Sequence, residues 1–428
     1  MNSIALAFML LMGISMLVLP RRYALVPLLI TVCYITLGQR FVIIGLDFTI
    51  FRIIILFGIV RLIIRKEYSL ITLNTIDKTI VLWAVVCLIT GALLDKTFGH
   101  LIHRLGQVYN ALGVYFLFRA NVRNLDDILR LTKIISVIIL PLTIALLIEK
   151  ATGRNIFYIF GGVPEITMIR GGRLRCQGPF AHPIMAGTFG ATLMPLFVGL
   201  WFSNTKAKFN AFVGFICATI ITLVSSASGP VMTYLAGIIG LSVWFFSKYM
   251  KAIRWGLLIT IITLHFFMKA PIWFLIGRLG FLIGGTGWHR SELIDAAIKH
   301  INEWWLIGTT YTAHWLPFSV LINPDMTDIT NHYILEGVYG GLPRMLLFIT
   351  IIVVGFKGIG YSIESLKDES FAIRFMPWTI GTALFAHVVA FISVAYFDQL
   401  VVMWYLLLAI ISTISNMPHT VTAKMSDS

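Results

Sequence analysis

Charged residues are scarce in this chain of 428 residues: Asp, Glu, Lys and Arg together make up 12% of it. A soluble globular domain carries about 25% of them. Hydrophobic residues make up 58% of the chain, and the mean hydropathy is +0.89. This balance excludes a soluble globular domain and predicts an integral membrane protein.

Cysteine and the common cofactor motifs are also scarce or missing. Of the four cysteines, Cys33, Cys87 and Cys217 lie within apolar runs and Cys176 lies in a polar segment, so no disulfide is predicted. The sequence has no metal-ligand spacing among its cysteines, no glycine-rich phosphate loop and no zinc or haem motif. We therefore expect no metal and no cofactor, and an ATP-driven motor is not expected.

Long apolar runs dominate what is present. A helix needs roughly 20 mainly apolar residues to span a bilayer, and about thirteen runs come near that length. About twelve spans are expected if one short N-terminal run is re-entrant. The predicted fold is all-α, a polytopic membrane protein with about 12–13 transmembrane helices and a long external helical loop. The runs are 3–19, 23–38, 41–64, 79–94, 105–119, 132–149, 184–203, 209–227, 230–247, 255–270, 333–356, 375–395 and 399–415.

The net charge of +14 does not indicate nucleic-acid binding, because the positive residues are concentrated in alternate loops. This distribution is the positive-inside pattern, which places the basic loops in the cytoplasm and the segments 151–183 and 271–331 outside. The predicted organisation is N-terminal transmembrane helices at 1–150, an external arginine-rich loop at 151–183, central transmembrane helices at 184–270, a long external catalytic loop at 271–331, C-terminal transmembrane helices at 332–416 and a cytoplasmic tail at 417–428.

The first external segment carries Arg170, Arg173 and Arg175 on a backbone interrupted by glycine. Guanidinium groups offer a planar fork for phosphate oxygens and keep their charge, so three of them suit an anion-binding site. The alternative interpretation is that these arginines anchor the chain to lipid headgroups.

The second external segment leads from Trp288, His289 and Arg290, which open a helical pattern, to His332 at the start of the next apolar run. A histidine at this boundary is a candidate general base. Glu336 lies four residues further on the same helical face and could orient the imidazole or hold the acceptor. The alternative is an interfacial or capping histidine. His182, His289 and His314 are weaker candidates for the same role.

Four motifs between residues 175 and 342 resemble the O-antigen ligase and O-antigen polymerase superfamily. They are RCQGPFAHPIMAG at 175–187, SSASGP at 225–230, GWHRSELIDAAI at 287–298 with IGT after it, and NHYILEGVYGGL at 331–342. The motifs occur in the family's order and topology, whereas the first 150 residues match only as a set of spans.

The resemblance implies a metal-independent, inverting, GT-C-like glycosyltransferase that uses an undecaprenyl-diphosphate-linked glycan as donor. Its active site would lie at the periplasmic or external face of a bacterial cytoplasmic (inner) membrane. Arg175 and Arg290 would bind the diphosphate, and His332 would activate the acceptor hydroxyl. Many members have an arginine in the turn matched here by 226–230, and this chain has none, so Arg173 or His289 would have to replace it.

The acceptor stays open. A polymerase would extend another glycan, whereas a ligase would attach the glycan to lipid A core or to protein. Aromatic residues of the 271–331 segment favour a polysaccharide polymerase, for O-antigen or exopolysaccharide, because sugars could stack on their faces. They are Trp288, Trp304, Trp305, Tyr311 and Trp315.

Tyr311, His289 and His314 would then be supporting or acceptor-binding groups. A chain-length regulator or a flippase of the same pathway would be a further protein partner. A transporter for a lipid or polysaccharide is the alternative of another class, although the two halves of the sequence show no convincing internal repeat.

Overall fold

The computed structural model describes residues 2–43, 46–94, 98–203, 205–282, 287–316, 325–397 and 399–416. Helices make up most of them, and the prediction of an all-α polytopic membrane protein is confirmed. The helices are α1 (Ser3–Val18), α2 (Val26–Tyr34), α3 (Ile50–Ile64), α4 (Thr75–Leu94), α5 (Phe98–Asn121), α6 (Leu125–Thr152), α7 (Pro183–Ser203), α8 (Lys208–Val224), α9 (Ser228–Ser242), α10 (Met250–Phe267), α11 (Phe274–Leu282), α12 (Gly287–Lys299), α13 (Ile301–Trp304), α14 (His332–Ser365), α15 (Phe371–Phe391) and α16 (Gln399–Ser415).

Seven helical stretches in the described part of the chain are long and apolar enough to cross a membrane. Two shorter apolar helices, α1 and α16, accompany them. The stretches are Thr75–Leu94, Leu125–Thr152, Pro183–Ser203, Thr205–Val224, Ser228–Phe267, His332–Ser365 and Phe371–Phe391. Ser228–Phe267 joins α9 and α10 through a 3₁₀ turn, so it covers two of the apolar runs counted in the sequence.

Two apolar runs near the N-terminus differ from regular spans. The run at 23–38 yields only the nine residues of α2. The run at 41–64 begins with an antiparallel hairpin of β1 (Arg40–Ile43) and β2 (Leu46–Thr49), and only then continues as α3. The Thr49 side chain caps α3 by accepting a hydrogen bond from the backbone N–H of Arg52 at 3.4 Å. The hairpin shortens the helix that the apolar run predicts.

The most buried helices lie at the centre of the fold. α7 packs against α8, α9 and α15, and most of its residues are buried. α16 packs against α5 and α14 and is buried along almost its whole length. Because helices this enclosed touch protein on every side, they fix the positions of the polar segments that connect them.

A kink interrupts α14 at Gly340 and Gly341, and Gly341 has φ of +72°. The segment 305–309 enters this break, where the Leu342 N–H donates to the Trp305 carbonyl at 2.7 Å and the Thr309 N–H donates to the Val338 carbonyl at 2.9 Å. A side chain on Gly341 would collide with the backbone of Leu306. The segment 305–309 is therefore held against α14 by backbone hydrogen bonds that a continuous helix could not form.

Candidate functional site

A buried carboxylate holds the arginine-rich segment between α6 and α7 in place. Glu149, at the end of α6, accepts hydrogen bonds from the backbone N–H groups of Gln177 at 3.1 Å and Gly178 at 2.8 Å, and from the Thr167 hydroxyl at 3.1 Å. Asn155 adds a hydrogen bond to the Gly178 carbonyl at 2.7 Å. These bonds fix the backbone on both sides of Arg175 because they tie 167–178 to a membrane helix.

The Arg175 side chain is only 4% exposed, and no carboxylate pairs with it in the described part of the chain. Its Nη1 lies 4.0 Å from the Met168 sulfur, and its Nε has no hydrogen-bond partner among the described residues. Burial and the neighbouring Arg170 lower the pKa of Arg175. Burial, Arg175 and Arg170 lower the pKa of His182 to about 4. Arg175 and Arg170 thus form a cationic pair that an anion would stabilise, and His182 beside them is held neutral.

Arg173, unlike Arg175, lies at the surface. It pairs with Arg170 across a short hairpin of β3 (Ile169–Arg170) and β4 (Arg173–Leu174), and both arginines are exposed. Gly171 and Gly172 form the turn with φ of +57° and +72°, the conformation that two-residue hairpins require. The hairpin therefore presents two guanidinium groups next to each other at the surface.

The turn between α8 and α9 has an unusual backbone and leaves the start of α9 without a side-chain cap. Ser226 has φ of +46°, which is uncommon for a residue other than glycine. Ala227 at the N-cap gives α9 no side-chain hydrogen bond, so the first N–H groups of this helix keep their capacity to bind an anion. Lys150 reaches the same turn, where its Nζ donates to the Ser226 hydroxyl at 3.2 Å and to the Leu174 carbonyl at 2.7 Å.

Lys150 is a residue that the sequence analysis missed. It sits at the end of a long apolar helix, where a lysine usually signals only the membrane boundary. The turn 226–230 has no arginine, and the sequence analysis expects Arg173 or His289 to supply the missing charge. Lys150 instead supplies a positive charge at this turn.

Arg290 enters the same region from α12 and is 8% exposed. A Cβ at Gly229, in the first turn of α9, would lie 3.4 Å from Arg290 Nη2 and 3.2 Å from the Ser393 hydroxyl. Burial lowers the pKa of Arg290, and no hydrogen bond or ion pair joins its guanidinium to any other residue that the structure describes. A buried cation without a counter-ion costs several kcal/mol, so Arg290 beside an uncapped helix N-terminus is the strongest mark of an anion site in this fold.

His332 begins α14 and is 8% exposed. Its Nδ1 accepts a hydrogen bond from the backbone N–H of Tyr396 at 3.1 Å, and its Nε2 lies 3.9 Å from Glu336 Oε1. The Phe391 ring stacks on the imidazole with centroids 5.0 Å apart, and Phe348 contacts it edge-on at 5.0 Å. Both ring nitrogens thus face protein groups, and aromatic rings enclose the imidazole.

Glu336 is held by residues from two helices and across the α14 kink. Arg344 donates to it through Nε at 2.7 Å and Nη2 at 3.2 Å, and Trp83 of α4 donates through Nε1 at 2.8 Å. Residues eight apart in a regular helix are separated by about 12 Å along the axis. The kink brings Arg344 back to Glu336, so the expected neighbour of His332 is already a salt-bridge partner. Trp83 and Arg344 were not identified from the sequence.

The connection between α15 and α16 joins the two halves of the site. Asn331 caps α14 and donates to the Ile392 carbonyl at 3.2 Å, while Tyr396 binds His332. Ser393, in the same connection, lies by Gly229 and so next to Arg290. The structure therefore brings the neighbourhoods of Arg290 and His332 together through one short segment.

Three residues predicted to support the site have other partners. His314 binds Glu303, with Nε2 3.1 Å from Oε1, and the Tyr311 ring stacks on His314 at 5.2 Å. His289 is half-buried, and its Nε2 lies 3.3 Å from the Asp328 carbonyl. His314 and Tyr311 thus belong to a cluster around Glu303 that is distinct from the contacts of Arg290 and His332.

The aromatic residues that the sequence analysis singles out between 288 and 315 fall into two groups. Trp304 and Trp315 are buried; Trp304 packs on Gly337 of α14 and donates to the Ala297 carbonyl at 2.9 Å. Trp288, Trp305 and Tyr311 are at least half exposed. Of these five side chains, only Trp288, Trp305 and Tyr311 can offer a ring face to a sugar. The prediction of a polymerase therefore rests on three aromatic residues rather than five.

Comparison with protein-family models and with curated proteins finds no match to this chain. The chemistry of the site is therefore argued from its residues. Arg290 lies against the uncapped first turn of α9, Lys150 reaches the turn before it, and a histidine beside a carboxylate lies at the adjoining connection. Such a site can bind a phosphate or diphosphate and can accept a proton nearby.

Proposed function

We propose that this protein is a membrane glycosyltransferase that transfers a glycan from undecaprenyl diphosphate to an acceptor hydroxyl at the outer face of the cytoplasmic membrane. The observation that carries the proposal is the buried Arg290 guanidinium, which has no counter-ion among the described residues and lies against the first turn of α9. The identity of the lipid diphosphate rests on the four motifs that resemble the O-antigen ligase and polymerase superfamily.

Three features support binding of the donor diphosphate. The first turn of α9 has no side-chain cap, and Gly229 leaves room there for the Arg290 guanidinium. Arg290 and Arg175 are buried cations that lack carboxylate partners in the ranges described, and Lys150 contributes a third charge through the Ser226 turn. Fixed positive groups in a site of low polarity stabilise the negative charge that develops on a departing diphosphate.

The proposed reaction is a single displacement. The acceptor oxygen attacks the anomeric carbon as the bond from that carbon to the diphosphate oxygen breaks, and the diphosphate leaves with the electron pair. The acceptor proton passes to the imidazole of His332, and the linkage forms with inversion. Glu336, 3.9 Å from Nε2, stabilises the resulting imidazolium.

His332 can take up that proton only after one change in the structure. The lone pair of Nδ1 accepts the Tyr396 N–H, so the connection between α15 and α16 must shift when the acceptor binds. Hydrogen bonds of catalytic groups often rearrange between the free enzyme and the substrate complex. The same connection borders Arg290 through Ser393, so donor binding is positioned to promote the shift.

Polymerisation is the favoured form of the reaction, because Trp288, Trp305 and Tyr311 offer exposed aromatic faces on the external segment. A ligase would use the same donor site and the same base. It would differ in the acceptor, which would be lipid A core or a protein.

The test is a reaction of the purified protein with undecaprenyl-diphosphate oligosaccharide alone, without added divalent cations. The native chain should produce a ladder of glycans, whereas His332→Ala and Arg290→Ala should not. His265→Ala and Arg254→Ala, which change exposed residues of α10, are the controls and should behave as the native chain does. Donor consumption only after lipid A core or protein is added would indicate a ligase. Donor binding without consumption under any condition would contradict the enzyme and favour a transporter.

A further inference from the structure

A second cluster of chemically active side chains lies outside the proposed glycosyltransferase site. His300, Glu303 and His314 each offer one ligand atom, and the three atoms lie within 4.8 Å of one another. His300 Nδ1 is 2.7 Å from Glu303 Oε1, and His314 Nε2 is 3.0 Å from Glu303 Oε2. We propose that this cluster is a binding site for a transition-metal ion of the zinc type.

The donor set fits such an ion. Two imidazole nitrogens and one carboxylate are ligands that Zn²⁺ prefers, and its tetrahedral bonds of 2.0–2.1 Å place neighbouring ligand atoms about 3.3 Å apart. The observed spacing allows an ion to enter after shifts of about 1 Å in the side chains. A hard ion such as Ca²⁺ or Mg²⁺ would instead need a shell made mainly of oxygen atoms.

The local structure orders the ligands before any ion binds. His300 and Glu303 are three residues apart across the start of α13, so both face one side of it. His314 comes from the loop eleven residues beyond Glu303. The His300 ring stacks on Trp315, and the His314 ring stacks on Tyr311. Three protein ligands leave the fourth tetrahedral position of the ion to a water molecule.

A hydrogen bond outside the ligand set supports the same assignment. Trp315 is buried, and its Nε1 donates to Glu303 Oε2 at 3.0 Å. Groups that hydrogen-bond to a metal ligand fix its orientation and raise its affinity for the ion. With Oε2 bound by Trp315, Glu303 keeps Oε1 oriented toward the imidazoles of His300 and His314.

The position of the cluster suggests what the ion does. Trp304, next to Glu303, packs on Gly337 of α14, and the segment 305–309 is bonded into the kink of that helix. An ion that joins α13 to the loop at His314 would close a short loop beside these contacts. The ion would hold α13 against the loop at His314, and the glycosyl transfer proposed above would not use it.

The experiment measures metal binding directly and does not depend on enzyme activity. The full chain, without a histidine tag, is purified in detergent, treated with a chelator and titrated with ZnCl₂ in a calorimeter. Titration with CoCl₂ is followed by visible absorption, because ligand-field bands report coordination by nitrogen and oxygen. We expect one equivalent of each ion, and binding at least about tenfold weaker in His300→Ala, Glu303→Gln and His314→Ala.

Matched variants separate the proposed site from unspecific binding. His265→Ala and Glu292→Gln change an exposed histidine and an exposed glutamate elsewhere and should bind as the native chain does. His314→Asp keeps a ligand and should bind more tightly than His314→Ala, which guards against loss through misfolding. Absence of saturable binding to the native chain, or equal binding by all variants, would overturn the proposal and leave a hydrogen-bonded His–Glu–His cluster.

Discussion

Nδ1 of His332 accepts the backbone N–H of Tyr396 at 3.1 Å, across 64 residues of sequence. Because Nδ1 is the acceptor, the neutral imidazole carries its proton on Nε2, the nitrogen that faces Glu336. The imidazole could therefore serve as a base that the connection releases, or as a support that only holds the connection in place. The two roles predict different results for substitution.

Replacing His332 with Asn tests these roles. The Asn amide oxygen can accept the Tyr396 N–H but cannot take up a proton at neutral pH. If His332 is the base, His332→Asn and His332→Ala both lose activity by about 10²–10⁴-fold, and donor binding is retained. The measurement is the rate of glycan-ladder formation beside donor affinity. If His332→Asn kept near-normal activity, His332 would only hold the connection in place and would not be the base.

Replacing Arg290 with Met should weaken donor binding and stabilise the free protein. The guanidinium is buried without a counter-ion in the described part of the chain, so its removal abolishes a desolvation cost. Loss of charge-assisted hydrogen bonds should lower donor affinity by about 10–100-fold. Thermal unfolding in detergent and binding of labelled donor are measured together, with Arg254→Met as the control. A lower unfolding temperature would show that Arg290 has a structural partner.

A methyl group at Gly229 should impair the same site. The added Cβ of Gly229→Ala would lie 3.2 Å from the Ser393 hydroxyl and 3.4 Å from Arg290 Nη2, which is tighter than most contacts of a Cβ. We expect weaker donor binding and a folded protein. Gly256→Ala is the matched control, since nothing lies within 4 Å of a Cβ there. It should stabilise α10 by up to about 1 kcal/mol and leave donor binding unchanged.

Breaking the Glu336–Arg344 pair should destabilise the protein. Both side chains are at most 5% exposed, and their closest contact is 2.7 Å. Glu336→Gln leaves the Arg344 charge buried and uncompensated, which costs about 3–5 kcal/mol of unfolding free energy. Removing both charges in Glu336→Gln/Arg344→Met should restore most of it. Thermal unfolding in detergent compares the variants; a double variant less stable than Glu336→Gln would contradict the interpretation.

His182 should make stability depend on pH below neutrality. Burial, Arg175 and Arg170 lower its pKa from 6.5 to about 4. Above pH 6.5 His182 is neutral in both the folded and the unfolded chain, so it contributes nothing to the pH dependence of the unfolding free energy. Between pH 6.5 and 4 the unfolded chain binds a proton that the folded chain does not, so stability falls as the pH falls. The unfolding temperature of His182→Gln should therefore decrease less over this range than that of the native chain. His265→Gln serves as the control and should follow the native profile.

Parts of the candidate site could be predicted and parts could not. Arg175, Arg290 and His332 could be named because each lies in a motif that resembles the O-antigen ligase and polymerase superfamily. Arg344 and Trp83 were missed, since an arginine and a tryptophan inside apolar runs look like boundary residues. Lys150 was missed for the same reason. Their roles depend on contacts between distant helices, such as the one that joins Trp83 to Glu336 across 253 residues.

The sequence by itself determined that this protein is a helical membrane protein, because backbone polar groups in a bilayer must be satisfied within each segment and long apolar runs therefore become helices. The composition of each apolar run is therefore enough to predict a helix there. The tertiary structure alone decided which charges are paired. The kink in α14 brings Arg344 into an ion pair with Glu336. Arg290 and Arg175, in contrast, are buried and have no carboxylate partner among the described residues. Long-range packing sets those contacts, and no local pattern specifies them.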